Sequence, residues 1–340
     1  MNDALVRSCT QLLGEENALR DEPMSAHTSF RVGGPADLFL RVFTARQLQS
    51  ALALLDEANM SYFLLGRGSN LLVGDGGYRG AIITMSDAVR RSQDDDAGSD
   101  RCSWEEMLSG RVPMEPDGRR LPLTGIVVSG SRIVAGAGET LFSLSAAARD
   151  HALAGLEFAS GIPGSLGGAL VMNAGAYGGS MDQVIETVFL LMPDGKITEV
   201  SGEEMQFGYR SSLLKKIPAI ALGAVLHLRE DESAAIDLKM RELSLQRRQK
   251  QPLEYPSAGS TFQRPEGYYA GKLIMEAGLR GFQIGGAAVS DKHCGFVINK
   301  GDATAADIRA VIREVRRRVK ETAGVDLEEE VISLGDFTEW

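Results

Sequence analysis

The chain has 340 residues, 44% of them hydrophobic, enough to bury the cores of two or three domains. A formal charge of -10 and a pI near 5.1 exclude a broad nucleic-acid footprint, which needs clustered Lys and Arg, yet leave room for a few local arginines around an anionic small molecule. Cys9, Cys102 and Cys294 lie far apart without zinc-ligand spacing, and no apolar run approaches the roughly 18 residues of a spanning helix, so neither a metal nor a membrane partner is expected.

In chain order, Leu5, Cys9, Leu12 and Leu13 fall at helical spacing in residues 1–20, and the N-terminus carries Asp3 with no apolar leader, which points to the cytoplasm. His27–Ala36 reads as a strand entering a Gly-Gly-Pro turn. Thr44 with Gln47 forms a capping box ahead of a helix bearing Leu48, Leu52 and Leu55, to about Ala58. Tyr62–Leu65 reads as a buried strand running into Gly66-Arg67-Gly68-Ser69-Asn70-Leu71, a turn whose small side chains suit phosphate oxygens or, equally, a generic strand connection.

From about Arg90 to Leu123 the pattern lapses into an acidic excursion, with Trp104 as the anchor if it is a partner site. Regular structure resumes with strands at Ile126–Val128 and Ile133–Gly138 and a helix bearing Leu141, Leu144 and Ala148. Leu141 stands where a dinucleotide-binding Gly-x-Gly-x-x-Gly needs its last glycine, so that motif fails. Gly267–Lys272 imitates a phosphate loop but is one residue short and lacks the Ser or Thr after the lysine.

The most unusual stretch is Gly161–Gly179. Seven of its nineteen residues are glycine, against about one expected at an average usage of about 7%. Such a backbone can be approached closely, with bare N–H groups converging on an anion such as a diphosphate. A hairpin follows (Val184–Leu191, Lys196–Val200, turn at Pro193–Gly195), then a strand within 217–228 and a helix around Ile236, Met240 and Leu243. That helix ends in Arg247-Arg248-Gln249-Lys250, the boundary to a C-terminal unit. The unit holds a short helix ending near Gly278, strands around Gln283–Val289 and Gly295–Asn299, and a helix capped by Thr304. Ile308, Val311, Ile312, Val315 and Val319 form the buried stripe of that last helix, and Arg309, Arg313 and Arg316–Arg318 its solvated face. The element order is α+β.

Three further stretches place reactive side chains in awkward backbone. Tyr209-Arg210 sits in a turn after Gly208, Ser260 follows Gly259, and Glu328-Glu329-Glu330 enters a strand. Taken singly, Arg210 fits a surface ion pair as well as a site, Ser260, with no Gly-x-Ser-x-Gly context and no triad in chain order, reads as a plain turn, and the carboxylate run reads first as a solvated surface.

Together, His27–Ala36, Gly66–Asn70, Gly161–Gly168 with Asn173–Tyr177, Tyr209-Arg210, Gly259-Ser260 and Glu330-Val331 occur in the order found in UDP-N-acetylenolpyruvoylglucosamine reductases (UDP-N-acetylmuramate dehydrogenases), which the chain resembles from about residue 20 to 335. The resemblance implies a vanillyl-alcohol-oxidase-type (PCMH) FAD-binding fold in two subdomains plus a C-terminal α+β substrate domain. It also implies non-covalent FAD, NADPH as reductant, and reduction of UDP-N-acetylglucosamine enolpyruvate to UDP-N-acetylmuramate for peptidoglycan. The expected division is an N-terminal helix (1–20), FAD subdomain 1 (21–89), the excursion (90–123), FAD subdomain 2 (124–230) and the substrate domain (231–340).

By the same resemblance, Arg210 and Glu330, the latter protonated, polarise the substrate carboxylate, and Ser260 is the proton donor. Gly66, Gly68, Ser69, Asn70, Leu71, Gly138, Gly161, Ile162, Pro163, Gly164, Ser165, Gly167 and Gly168 match FAD contacts, and Tyr209 and His293 substrate contacts. The short segments after Arg210 and Ser260 look like the compact family form without a tyrosine lid loop, and a monomer is expected. Two alternatives differ in testable features. A covalent flavin oxidase commonly has a histidine beside the first diphosphate loop, where this chain has Ser69-Asn70; a flavin-binding module without turnover would have no need of Arg210, Ser260 and Glu330 together.

Overall fold

The computed structural model describes residues 3–85, 104 and 121–337; the rest of the excursion lies outside the described residues. The first helix, α1 (Asp3–Leu13), buries Leu5, Cys9 and Leu13. It ends earlier than its expected unit: Ala18–Pro23 is a strand, β1, antiparallel to β2 (Pro35–Val42). Residues 27–34 form no strand, contrary to the expected strand entering the Gly-Gly-Pro turn. Thr28 Oγ1 donates to Val32 O at 2.9 Å, and Arg31 takes the left-handed φ of 58°, which curls residues 27–34 into a compact loop.

Helix α2 (Ala45–Glu57) starts at Thr44, whose hydroxyl accepts from Gln47 N, while Gln47 Oε1 reaches back to Phe43 N. Strands β3 (Tyr62–Leu65), β4 (Leu71–Val73) and β5 (Tyr78–Met85) follow, and the first sheet runs β1-β2-β5-β3. β3 is thus an edge rather than a buried strand, with Tyr62 44% exposed.

In the second unit, β6 (Ile126–Ser129) and β7 (Arg132–Gly136) form a hairpin, followed by α3 (Leu141–Asp150) and α4 (Leu166–Met172). Then come β8 (Ile185–Leu191), β9 (Ile197–Ser201) and β10 (Ile220–His227), in the sheet order β9-β8-β10-β7-β6. The central strand β10 is buried from Ile220 to Leu226 because both faces are covered. One face packs with α3 and α4 through Leu144, Leu166, Leu170 and Ala224. The other joins α1 and α2 through Leu222, Val225, Leu48 and Leu55, so the two subdomains share a core.

Trp104 belongs to that shared core. It is 2% exposed, stacks at a tilt on Phe189 with ring centroids 5.7 Å apart, and donates from Nε1 to Thr124 O at 3.3 Å. It therefore anchors the acidic excursion to its own chain, not to a partner. A side chain at Gly223 would come within 2.5 Å of the Trp104 ring, so the strand carries glycine there.

The C-terminal unit begins with α5 (Ser233–Lys250) and α6 (Ala270–Glu276). What the sequence presents as one strand at 283–289 is a hairpin, β11 (Gln283–Ile284) and β12 (Ala287–Val289), extended by β13 (Val297–Asn299) and packed on α7 (Ala305–Ala323). The last strand, β14 (Ile332–Leu334), pairs in parallel with β4, tying this unit to the first. A second tie is the Asp75 carboxylate, which accepts from the N–H groups of Ala305 and Ala306, both at 2.8 Å, at the start of α7. Arg309 and Arg316 are not merely solvated: both pair with Glu329, at 2.8 and 3.1 Å.

Candidate active site

All three units meet around one cavity of about 800 Å³. The first contributes the turn after β3. There Gly68 has φ 60°, and an added Cβ would lie 2.0 Å from His27 O, so the 27–34 loop and this turn pack backbone to backbone. Gly68 O accepts from Ser29 N at 3.0 Å, while the N–H groups of Arg67, Gly68 and Ser69 make no backbone hydrogen bond among the described residues.

The second unit contributes Ile162–Ser165, Gly168 and the wall from Val171 to Ala176. Ser165 caps α4 by accepting from Gly168 N at 3.3 Å, and Asn173, left-handed at φ 42°, ends that helix. Asn173 also binds two loops together: its Nδ2 donates to Gly208 O at 3.2 Å and its Oδ1 accepts from Asp182 N at 3.0 Å.

Gly208 and Ser211 bridge each other and hold Tyr209-Arg210 at the tip of a tight turn, with Arg210 at a left-handed φ of 52°. Ser212 Oγ fastens the turn to α4 through Val171 O at 3.0 Å. From this tip, Arg210 Nε meets Glu330 Oε1 at 2.5 Å. Glu330 is placed from both sides: its N–H donates to Thr261 O at 2.8 Å, and its carbonyl accepts from Asn70 Nδ2 at 3.0 Å. Burial pushes the Glu330 carboxyl above the ordinary glutamate range, outweighing the opposing pull of Arg210 and Lys215.

Ser260 stands one residue before Thr261 and lines the same cavity, its side chain exposed to it. Gly259 before it has φ 75° with open space where a Cβ would be, so glycine is there for its backbone and not for room. Arg210, Ser260 and Glu330, 120 residues apart at the widest, thus converge on one wall.

The other expected contacts divide. Gly66, Gly68, Ser69, Asn70, Leu71, Ile162, Pro163, Gly164, Ser165 and Gly168 line the cavity. Gly138, Gly161 and Gly167 do not: Gly138 and Gly167 serve backbone packing, with Gly138 N donating to Leu123 O at 2.8 Å and Gly167 N to Ala137 O at 2.7 Å, and Gly161 lies against the Arg247 side chain. Tyr209 is 59% exposed and its hydroxyl accepts from Arg264 N at 3.2 Å. His293 is also outside the lining: its ring packs edge-on against Phe296, which does line the cavity, and its Nδ1 accepts from Gly295 N at 3.2 Å. Burial lowers the His293 pKa, consistent with a neutral packing histidine.

Sequence reasoning passed over Arg31, Arg67 and Arg247, which also line the cavity. With Arg210 they set four arginines against Glu254 and Glu330 in a chain of net charge -10. That local excess of cations, with free N–H groups on a glycine turn, fits a polyanion such as the FAD diphosphate, and the volume suits a large cofactor.

An FAD-binding domain model matches residues 120–201. With the two-subdomain fold and the cationic cavity, it defines an FAD-binding oxidoreductase of vanillyl-alcohol-oxidase-type architecture. The model for the C-terminal domain of UDP-N-acetylenolpyruvoylglucosamine reductase matches residues 251–334. UDP-N-acetylenolpyruvoylglucosamine reductases of Lachnoclostridium phytofermentans and Clostridioides difficile are 42% and 43% identical, over 99% and 98% of this chain and 99% of each relative. The crystal structure of the enzyme from Thermus caldophilus matches with TM-score 0.69 and 32% identity, over 92% of this chain and 97% of that one. The chain belongs to the UDP-N-acetylenolpyruvoylglucosamine reductase family. It is a flavin oxidoreductase that uses FAD and NADPH to reduce UDP-N-acetylglucosamine enolpyruvate to UDP-N-acetylmuramate in peptidoglycan-precursor synthesis.

Proposed function

We propose that the wall formed by Arg210, Glu330 and Ser260 carries out the substrate half of this reaction. The single observation that supports it most is the convergence of these three side chains, from three turns distant in sequence, on a cavity whose other wall is glycine backbone. FAD, when bound, relays the two electrons of a hydride from NADPH to the substrate double bond. Gly66, Gly68, Ser69, Asn70, Leu71, Ile162–Ser165 and Gly168 would hold it.

Reduction of a double bond conjugated to a carboxylate builds enolate charge on that carboxylate, and the remaining carbon must take a proton. Arg210 offers guanidinium donors to the carboxylate oxygens. Glu330, whose pKa burial raises and the approach of a second carboxylate raises further, donates one more hydrogen bond in its protonated form instead of repelling it. Ser260 gives its Oγ proton to the carbon. A hydroxyl is a weak acid, so the enolate's basicity drives the transfer and the turn at Gly259 supplies position. Tyr209, beside Arg210, contacts the substrate from the rim. The unit boundaries at about 89, 123 and 230, a monomeric state, a cytoplasmic location and the compact form without a lid loop complete the reading; no helix among the described residues is long and apolar enough to cross a membrane.

The test is anaerobic: bleach the flavin with NADPH, then add UDP-N-acetylglucosamine enolpyruvate. Rapid return of the oxidised spectrum is expected in the wild type. Return in an Arg210, Glu330 or Ser260 variant at the wild-type rate would defeat the assignment of that residue.

A further inference from the structure

Among the arginines of the cavity lining, Arg247 is set apart by its bond to the glycine stretch. It lies at the C-terminal end of α5 and turns inward, half-buried, against the glycine stretch, where its Nη1 donates to Gly161 O. No acidic side chain pairs with it among the described residues, and burial pulls its pKa down against an opposing pull from Tyr177. Helix termini favour cations at this end, but Arg248 and Lys250, exposed on the same last turn, meet that preference from solvent.

Gly161 adds a second observation. It does not line the cavity, yet a Cβ there would sit 3.2 Å from both Cδ and Nη1 of Arg247. The glycine therefore gives the guanidinium room to lie along the loop, and one of its five N–H groups is used by the Gly161 carbonyl. The remaining donors are available to the cavity that Arg247 lines.

We propose that Arg247 is a cofactor-binding residue whose guanidinium pairs with an anionic oxygen of bound FAD. This rests on the cavity being the seat of FAD. Two sources share that chemistry, the diphosphate, charged in both redox states, and the ring, which gains negative charge when it accepts a hydride.

Arg247→Gln and Arg247→Lys separate them. Each is purified, stripped of flavin and refilled; the affinity for oxidised FAD is read by fluorescence, and the midpoint potential by equilibrium titration against a reference dye. Wild-type protein refilled in parallel establishes that the cavity takes FAD at all. Arg247→Gln is expected to weaken oxidised FAD by about 10- to 100-fold if the partner is the diphosphate, the scale of a charge-assisted hydrogen bond. If the partner is the reduced ring, oxidised affinity holds and the potential falls by about 30 mV for each tenfold loss of preference for the reduced form. Arg247→Lys should recover part of either effect. The proposal is overturned if Arg247→Gln leaves both quantities unchanged, if Lys and Gln lose them equally, or if Arg247→Gln apoprotein unfolds or melts below wild-type apoprotein, because the cation would then serve the fold.

Discussion

The two walls of the cavity solve different problems with different parts of the chain. In the proposed division, the Gly66–Leu71 side works through the main-chain N–H groups of Arg67, Gly68 and Ser69, which make no backbone hydrogen bond among the described residues, and the Ile162–Ser165 side contributes a turn that a ligand can approach closely. On the Arg210–Ser260–Glu330 side the working groups are side chains, and the main chain contributes left-handed turns at Arg210 and Gly259 that present them. The difference teaches that the first wall fails by crowding, the second by loss of a functional group.

The sharpest way to break the second wall is Arg210→Met. It should slow substrate-driven reoxidation of the reduced enzyme by about 10²–10³-fold in anaerobic stopped flow, the scale for removing a donor aimed at developing negative charge. The first wall should break differently. Gly68→Ala places a Cβ against His27 O in a backbone conformation that costs of order 1–3 kcal/mol for a non-glycine residue. Reduced FAD retention and a lower melting temperature are expected together, the two being linked by binding.

A pH series sharpens the comparison. The Glu330 carboxyl binds its proton more tightly in the folded than in the unfolded chain, because burial raises its pKa. Stability should therefore fall as pH climbs from the ordinary glutamate value through the raised one, with no further change from this group above it. Denaturant midpoints across that window should show the slope in wild type and lose it in Glu330→Gln. The smallest effect belongs to neither wall: Thr304→Ala removes the side-chain acceptor for Asp307 N at the start of α7 and should cost about 1 kcal/mol in chemical denaturation, sparing both half-reactions.

Part of the glycine wall is legible in the sequence: of the seven glycines in 161–179, Gly164, Gly168 and Gly175 line the cavity, while Gly167 serves backbone packing and Gly161 lies against Arg247. The wall proposed as catalytic is legible only as separate words, joined through a resemblance. Spacing cannot reveal that Glu330 N meets Thr261 O or that β14 lies beside β4, because those pairings close loops of tens to hundreds of residues. Trp104 misleads for a related reason: an aromatic in an acidic, aperiodic stretch looks exposed, and only the gap above Gly223 shows where it goes. Arg247 reads as one more basic residue at a helix end, and His293 as a ligand-facing histidine, because the sequence does not say which way either turns. Edge position, which leaves Tyr62 exposed in an apolar strand, is likewise a property of sheet order and not of composition.

The division of labour between the walls is tested most directly by Ser260→Ala in anaerobic stopped flow, following flavin absorbance through both halves of the cycle. The account predicts reduction by NADPH at the wild-type rate and reoxidation by UDP-N-acetylglucosamine enolpyruvate slowed by about 10²–10⁴-fold, the range for a positioned acid. Equal slowing of both halves, or reoxidation at the wild-type rate, would contradict it.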